Sequence, residues 1–386
     1  MRNTALLWRS PALLRQKLIR RGAIGLLALF AVLGLAGCGT TPEMVWPGLN
    51  TAGDTVYLTS PDGWLRALET DSGELRWEFP NPDSSEKKKS LELHASPAIA
   101  GDLLFVGTYV YNGPNRLYAL DINNGQEKWS IEIDGPIVGS AAIEDGKVFI
   151  GSSDNHLYCF ESATGNPCWD SPFAAKHWVW SSPLLVGGRI FIATMDHNLY
   201  CVDAAQGTPC WATPYEATGA LAGSPAFAED TIYVGDFDGA LHAVDATTGQ
   251  QKWTFKAGNW IWGGPVVADG LVYFGALDGK VYALDAISGE KVWERAVEGR
   301  VRAPPTFADG LLYVGSEGGH LYAIDAASGQ VRWDFPIPAD GEKKRRILTA
   351  PVVNDSLIFA VSMDGQVYAL DAVEGTQEWV YSPPSG

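Results

Sequence analysis

The sequence predicts an all-β protein: an eight-bladed β-propeller whose blades are four-stranded antiparallel sheets. Three observations carry that expectation. A thirteen-residue hairpin motif occurs eight times, its copies recur at a period of about 40–45 residues, and a second pair of strand-like runs lies between most successive copies. Regular strand-rich repeats of that length are the signature of propeller blades.

The motif reads VYALDAISGEKVW in its plainest copy, from Val281 to Trp293. Two runs of alternating polarity flank a short turn that ends in glycine, which is the pattern of a β-hairpin. The copies begin at Leu65, Leu117, Leu157, Leu199, Leu241, Val281, Leu321 and Val367. They end on Trp77, Trp129, Trp169, Trp211, Trp253, Trp293, Trp333 and Trp379. These supply strands C and D of each blade. One sheet cannot bury both its faces alone, so blades must pack on neighbours. A large flat ring in fixed register with the hairpin is suited to that packing, so the eight Trp are expected between blades. The Asp of the motif is expected to cap the turn by accepting backbone N–H bonds.

Strands A and B come from units such as SPAIAGDLLFVG from Ser96, SPAFAEDTIYVG from Ser224 and GPVVADGLVYFG from Gly264. The link from B to C is often Asp-Gly, as at Asp62-Gly63, Asp238-Gly239, Asp278-Gly279 and Asp364-Gly365, which predicts type I′ turns. The first blade has its own strand A near 46–50 and the last its own strand D near 379–381. The ring would then close by side-chain packing instead of a strand borrowed across the termini.

The N-terminus has a different character. Residues 1–37 carry six basic and no acidic residues and end in a fifteen-residue apolar run, 23–37, just before Cys38. That length is short for a membrane span and typical of an export signal. The LAGC sequence resembles a bacterial lipoprotein signal, which implies lipidation of Cys38. The expected organisation is a signal peptide over 1–37, an anchored tether over 38–45 and the propeller over 46–386. The chain would be extracytoplasmic and held to the membrane by its lipid. The net charge is −17 with the signal and −23 without it, which disfavours nucleic acid as a partner.

Cys159 with Cys168, and Cys201 with Cys210, occupy positions three and twelve of two motif copies. Those positions oppose each other across the hairpin, and an oxidising compartment favours two local disulfides. A four-thiolate metal site would need the two hairpins to converge, and no Cys-x-x-Cys is present.

The D-to-A and B-to-C connections emerge on one face of the ring. Two D-to-A connections are long and basic, with Lys87, Lys88 and Lys89 in one and Lys343, Lys344, Arg345 and Arg346 in the other. Strand A is innermost, so residues leading into it approach the channel mouth. Aligned on the Pro of strand A, the residues three before it are Met44, His94, Val138, Trp180, Ala222, Trp262, Arg302 and Leu348. Trp178, Trp260 and Arg300 stand two residues earlier. The expected mouth is half aromatic and half basic, suited to an extended, partly acidic peptide or a ring-bearing ligand.

The repeat G-x-x-D-G-x-L-Y-A-L-D-x-x-x-G-x-x-x-W is similar to that of the pyrroloquinoline-quinone (PQQ)-like propeller superfamily. That superfamily includes quinoprotein dehydrogenases and the BamB-type outer-membrane assembly lipoproteins. The resemblance covers residues 46–381 and all eight blades. Its dehydrogenase branch implies a PQQ site at the channel entrance, over a Trp floor and beside calcium. No calcium ligands or catalytic Asp match that pattern here, and the adjacent-cysteine pair of quinoprotein alcohol dehydrogenases is missing. There is no Gly-x-Ser-x-Gly, His-Glu-x-x-His or Walker loop either. The expectation is therefore a monomeric, non-catalytic scaffold without a cofactor or bound metal. It would dock envelope proteins or peptide loops on the D-to-A face, with strand addition at a blade edge, and the BamB-type resemblance implies a part in outer-membrane protein assembly. The alternative is a PQQ-dependent dehydrogenase or small-ligand sensor using the channel mouth.

Overall fold

Strands B and C read as near-continuous apolar runs because each is covered on both faces. In the fifth blade, strand B (Thr231–Gly235) is wholly buried and strand C (Ala240–Asp245) nearly so. Strand D (Gln251–Lys256) alternates exposed and half-buried residues, as an outermost strand with one covered face must. In the computed structural model this unit repeats as eight separate four-stranded antiparallel sheets, in the order A-B-C-D, around a ring. The structure describes residues 46–80, 91–110, 113–339, 341 and 345–384, and there is no helix among them. The export signal, Cys38, the tether, Lys87–Lys89, Lys343 and Lys344 lie outside the described residues.

The joints between blades use two letters of the motif at once. The Trp211 indole N–H of blade four donates to the Ala246 carbonyl of blade five at 3.2 Å. Its ring lies on the turn glycine of blade five, Gly249, where an added Cβ would fall 2.8 Å from the indole. Gly249 also has φ of +71°, so both the turn and the neighbouring ring exclude a side chain. Trp77, Trp129, Trp169, Trp253, Trp293, Trp333 and Trp379 repeat the same bond to the next blade. The motif Asp caps as its chemistry suggests: Asp245 Oδ1 accepts the Thr247 and Thr248 N–H groups at 3.1 and 2.8 Å.

The ring closes with one more joint of the same kind. All four strands of the first blade come from residues 48–79 and all four of the last from 352–381. Between them Trp379 donates to Thr70 O at 2.7 Å, and Leu49, Leu58, Phe359 and Val361 share one buried cluster. Asn354 Nδ2 adds a bond to Gly53 O at 2.8 Å.

Three expectations need correction. The Asp-Gly links from B to C are not type I′ turns: Gly239 has φ of +85° but Asp238 is not at positive φ. Gly239 N–H bonds Asp236 O and Asp236 N–H bonds Ala240 O, which is a tight turn followed by a left-handed glycine. Pairs with both residues at positive φ stand instead between A and B, as at Asp269-Gly270.

The four described cysteines are free thiols and not disulfides. Cys168 N–H donates to Cys159 O at 2.9 Å, and Cys210 N–H to Cys201 O at 2.8 Å. Each pair therefore faces across its hairpin with a backbone bond between the two residues, and the thiols stand unjoined. Burial first, and the facing thiol second, pushes both Cys159 and Cys201 up.

The same two blades break the D-strand pattern. Two extra residues follow each Trp, in CWDSPF and CWATPY, and strand D shrinks to Phe173–Ala174 and Tyr215–Glu216.

The third correction concerns register. The turn between A and B falls at Ala52-Gly53-Asp54 in blade one and Ala100-Gly101-Asp102 in blade two. Matching these turns sets Leu49, not Pro47, at the Pro position, so Trp46 replaces Met44 in the ring of residues leading into strand A.

Candidate binding site at the channel mouth

Eight equivalent positions therefore meet at the mouth: Trp46, His94, Val138, Trp180, Ala222, Trp262, Arg302 and Leu348. Their side chains divide into two groups. Trp46 reaches Trp262, three blades away round the ring, with centroids 5.5 Å apart. It also packs on His94 at 5.4 Å, and His94 Nδ1 lies 3.2 Å from Val138 O. Contact between blades so far apart means that these rings lie across the channel opening. Trp180 turns to the rim, where its indole N–H donates to Ser153 Oγ at 3.0 Å and its ring stacks on Trp178 at 5.2 Å.

The loops from B to C supply a second layer. Phe237 stacks on Trp260 at 5.0 Å and on Trp262 at 4.8 Å. Tyr109 packs on His94 at 5.3 Å. Glu317 binds Arg302, with Oε1 2.9 Å from Nε and 2.8 Å from Nη2. None of these loop residues carries a sequence signal of its own: Tyr109 and Glu317 meet the strand A lead-in of their own blade, and Phe237 meets that of the next.

Arg302 is the charged centre of the mouth. It is only 5% exposed, with its guanidinium carbon 4.4 Å from the Trp262 ring centroid and 5.8 Å from that of Trp46. Burial lowers its pKa, opposed by the Glu317 carboxylate. Arg300 and Arg346 are exposed beside it, and their positive fields reach it. Arg345 folds back, with Nε 2.5 Å from Asp364 Oδ2 and Nη1 2.6 Å from Pro338 O.

A second polar cluster ties blade four to blade five. Asp236 is fully buried and His242 is 2% exposed. The Asp236 carboxylate accepts from Gly219 N, Thr218 Oγ1 and Ala240 N at 2.9, 2.7 and 2.7 Å, and lies 2.9 Å from His242 Nε2. Tyr215 oxygen sits 2.9 Å from His242 Nδ1 and 2.8 Å from Gln251 Oε1 at the edge of a cleft of about 290 Å³. Burial, with the Asp236 charge second, pushes the Tyr215 phenol up to about 12, so it stays protonated. This chain fastens the shortened strand D of blade four to its neighbour. Asp236 stands where other blades have Ser152, Thr194 or Ser316, and His242 where most have Tyr.

The quinone and calcium implied by the dehydrogenase branch do not fit this mouth. The Trp46 and Trp262 rings pack on each other with centroids 5.5 Å apart, and no group of three or more His, Cys, Asp or Glu that could hold a metal ion gathers among the described residues.

Comparison with known proteins agrees with the architecture. The BamB of Yersinia pestis is 28% identical over 119 residues, 30% of each chain. Subunit 1 of the methanol dehydrogenase of Paracoccus denitrificans is 34% identical over 93 residues, covering 24% of this chain and 14% of that one. These alignments span about a third or less of the curated relatives' length. The crystal structure of BamB from Moraxella catarrhalis superposes with a TM-score of 0.67 at 19% identity, over 91% of this chain and 98% of that one, a likeness of fold. The profile of one family, described as outer membrane protein assembly factor BamB, matches residues 39–213, 156–259, 196–300 and 277–385. Together these segments run the length of the propeller, and the chain belongs to that family.

Proposed function

We propose that this chain is an extracytoplasmic, non-catalytic scaffold, anchored by lipid on Cys38, that docks envelope polypeptides during outer-membrane protein assembly. The observation that carries the reading is the mouth itself: half-exposed rings at Trp178, Trp180, Trp260 and Trp262 beside the exposed guanidinium groups of Arg300 and Arg346. Rings with adjacent cations suit an extended, partly acidic polypeptide. Membership of the BamB family supplies the setting. The methanol dehydrogenase likeness covers a quarter of the chain and rests on a blade-building repeat, so it gives little support to oxidation chemistry.

The test uses a strain lacking the chain, complemented with wild type or with Trp178→Ala/Trp260→Ala. Loss of the chain should lower folded, heat-modifiable outer-membrane barrels at least twofold. A photo-crosslinking residue at position 260 should capture an assembly-machinery polypeptide, whereas one at Val292, on an outer strand, should not. The double variant should restore barrel levels poorly despite normal abundance. Full restoration by that variant, or PQQ- and calcium-dependent alcohol oxidation by the purified chain, would overturn the proposal.

A further inference from the structure

Buried side-chain nitrogens in a folded protein nearly always have partners, and one left without a partner costs free energy that something must offset. Arg302 Nη1 is such an atom: it is buried and has no hydrogen-bond partner among the described residues. The other two guanidinium nitrogens both turn to one oxygen of Glu317. That leaves a single edge of a fixed, planar cation unpaired at the channel mouth.

We propose that the unpaired edge of Arg302 is a subsite for a carboxylate carried by an acidic residue of a partner polypeptide, bound beside the Trp262 and Trp46 rings. The proposal rests on the scaffold reading above and adds the chemistry that the mouth selects.

Three features choose a carboxylate over other anions. The open nitrogen suits one acceptor oxygen, and charge-assisted bonds of this kind are the stronger ones. Glu317 already neutralises Arg302, so the remaining positive field comes from Arg300 and Arg346. That local field favours an anion, and the acidic chain, at −23 without the signal, repels a single charge less than the two of a phosphate. The walls are aromatic faces, 4.4 and 5.8 Å from the guanidinium carbon, which exclude water and strengthen any bond made there. The polypeptide source follows from the rim. Half-exposed Trp260, linked to Trp262 through the Phe237 ring, offers a flat surface to a residue flanking the acidic one.

The experiment titrates the full chain, in detergent, with the blocked tripeptide acetyl-Trp-Glu-Trp-amide, its Gln counterpart and acetate, followed by calorimetry. The Glu peptide should bind saturably and about ten- to a hundredfold more tightly than the Gln peptide, the ratio expected for one hydrogen bond to a buried charge. Arg302→Lys keeps a cation for Glu317 but removes the planar fork. It should reduce the Glu peptide to the level of the Gln peptide while near-ultraviolet circular dichroism is unchanged. Equal binding of the two peptides to the wild-type chain would overturn the proposal, and that comparison needs no variant. Acetate binding as tightly as the Glu peptide would overturn the polypeptide assignment. If the peptides fail while position 260 still crosslinks to assembly polypeptides, the subsite is wrong and the scaffold reading stands.

Discussion

Trp211→Ala should lower stability by about 3–5 kcal/mol, the usual cost of removing a large buried aromatic side chain. The ring is 7% exposed and fills the space left by Gly249, which has no side chain to move into the void. Trp211→Phe should cost less, since much of the ring's volume is kept and the Ala246 carbonyl retains a second donor, Arg189 Nη1 at 3.1 Å. Trp379→Ala makes the sharper comparison, because it removes the same joint at the seam. If closure is one joint among eight, the two alanine variants shift the denaturant midpoint by similar amounts. A far larger loss for Trp379→Ala, with a changed slope, would mean that the seam is the weak point.

His242→Ala should be comparably severe, at about 3–5 kcal/mol, because it strips one partner from a fully buried carboxylate. The pH dependence follows from the same group. Burial would raise the Asp236 pKa, but the bonds from His242, Thr218 and the Ala240 N–H outweigh it and hold the carboxyl well below its usual range. A carboxyl depressed on folding stabilises the protein above its unfolded pKa of about 3.9, and that stability is lost as pH falls toward the folded value. Between pH 7 and pH 3 the wild type should lose more stability than Asp236→Asn. Equal acid sensitivity of the two would remove Asp236 from the account. Asp236→Asn/His242→Ala should cost less than the sum of the single changes, since the amide leaves no buried charge.

The fold is legible in the sequence because each blade states it again. The Trp and Gly of the motif recur eight times at constant spacing, and the structure sets them on the two sides of every joint. The mouth is less legible because it is made where different repeats converge. Trp262 and Arg302 can be found from strand A register, yet Phe237 and Glu317 reach them from B-to-C loops that carry no motif, and Trp46 meets Trp262 only when the ring closes. Trp46 escapes alignment on Pro because blade one has Leu49 at that position, whereas the Gly-Asp turn at 53–54 gives its true register. The cysteine pairs illustrate a different limit. Opposition across a hairpin is readable from spacing, but spacing does not say which backbone groups bond between the two residues, and here Cys168 N–H bonds Cys159 O. Asp236 and His242 depart from the repeat, standing where most other blades have Ser or Thr and Tyr, but the departure alone names no partner. Their pairing through Tyr215 depends on the shortened outer strand of the preceding blade.

The way the ring shuts has a consequence for its connectivity. No blade is assembled from both ends of the chain, and the joint at the seam differs from the others only in lacking a peptide link between the neighbours it joins. The position of the chain ends is then incidental to the architecture. A circular permutant that joins residue 384 to residue 46 through a short flexible linker, with new ends in the D-to-A connection at Gly258-Asn259, should fold to the same ring. Both of those residues are exposed. Such a chain would begin with blade six and end with blade five, with its ends three blades round the ring from the present seam and every joint intact.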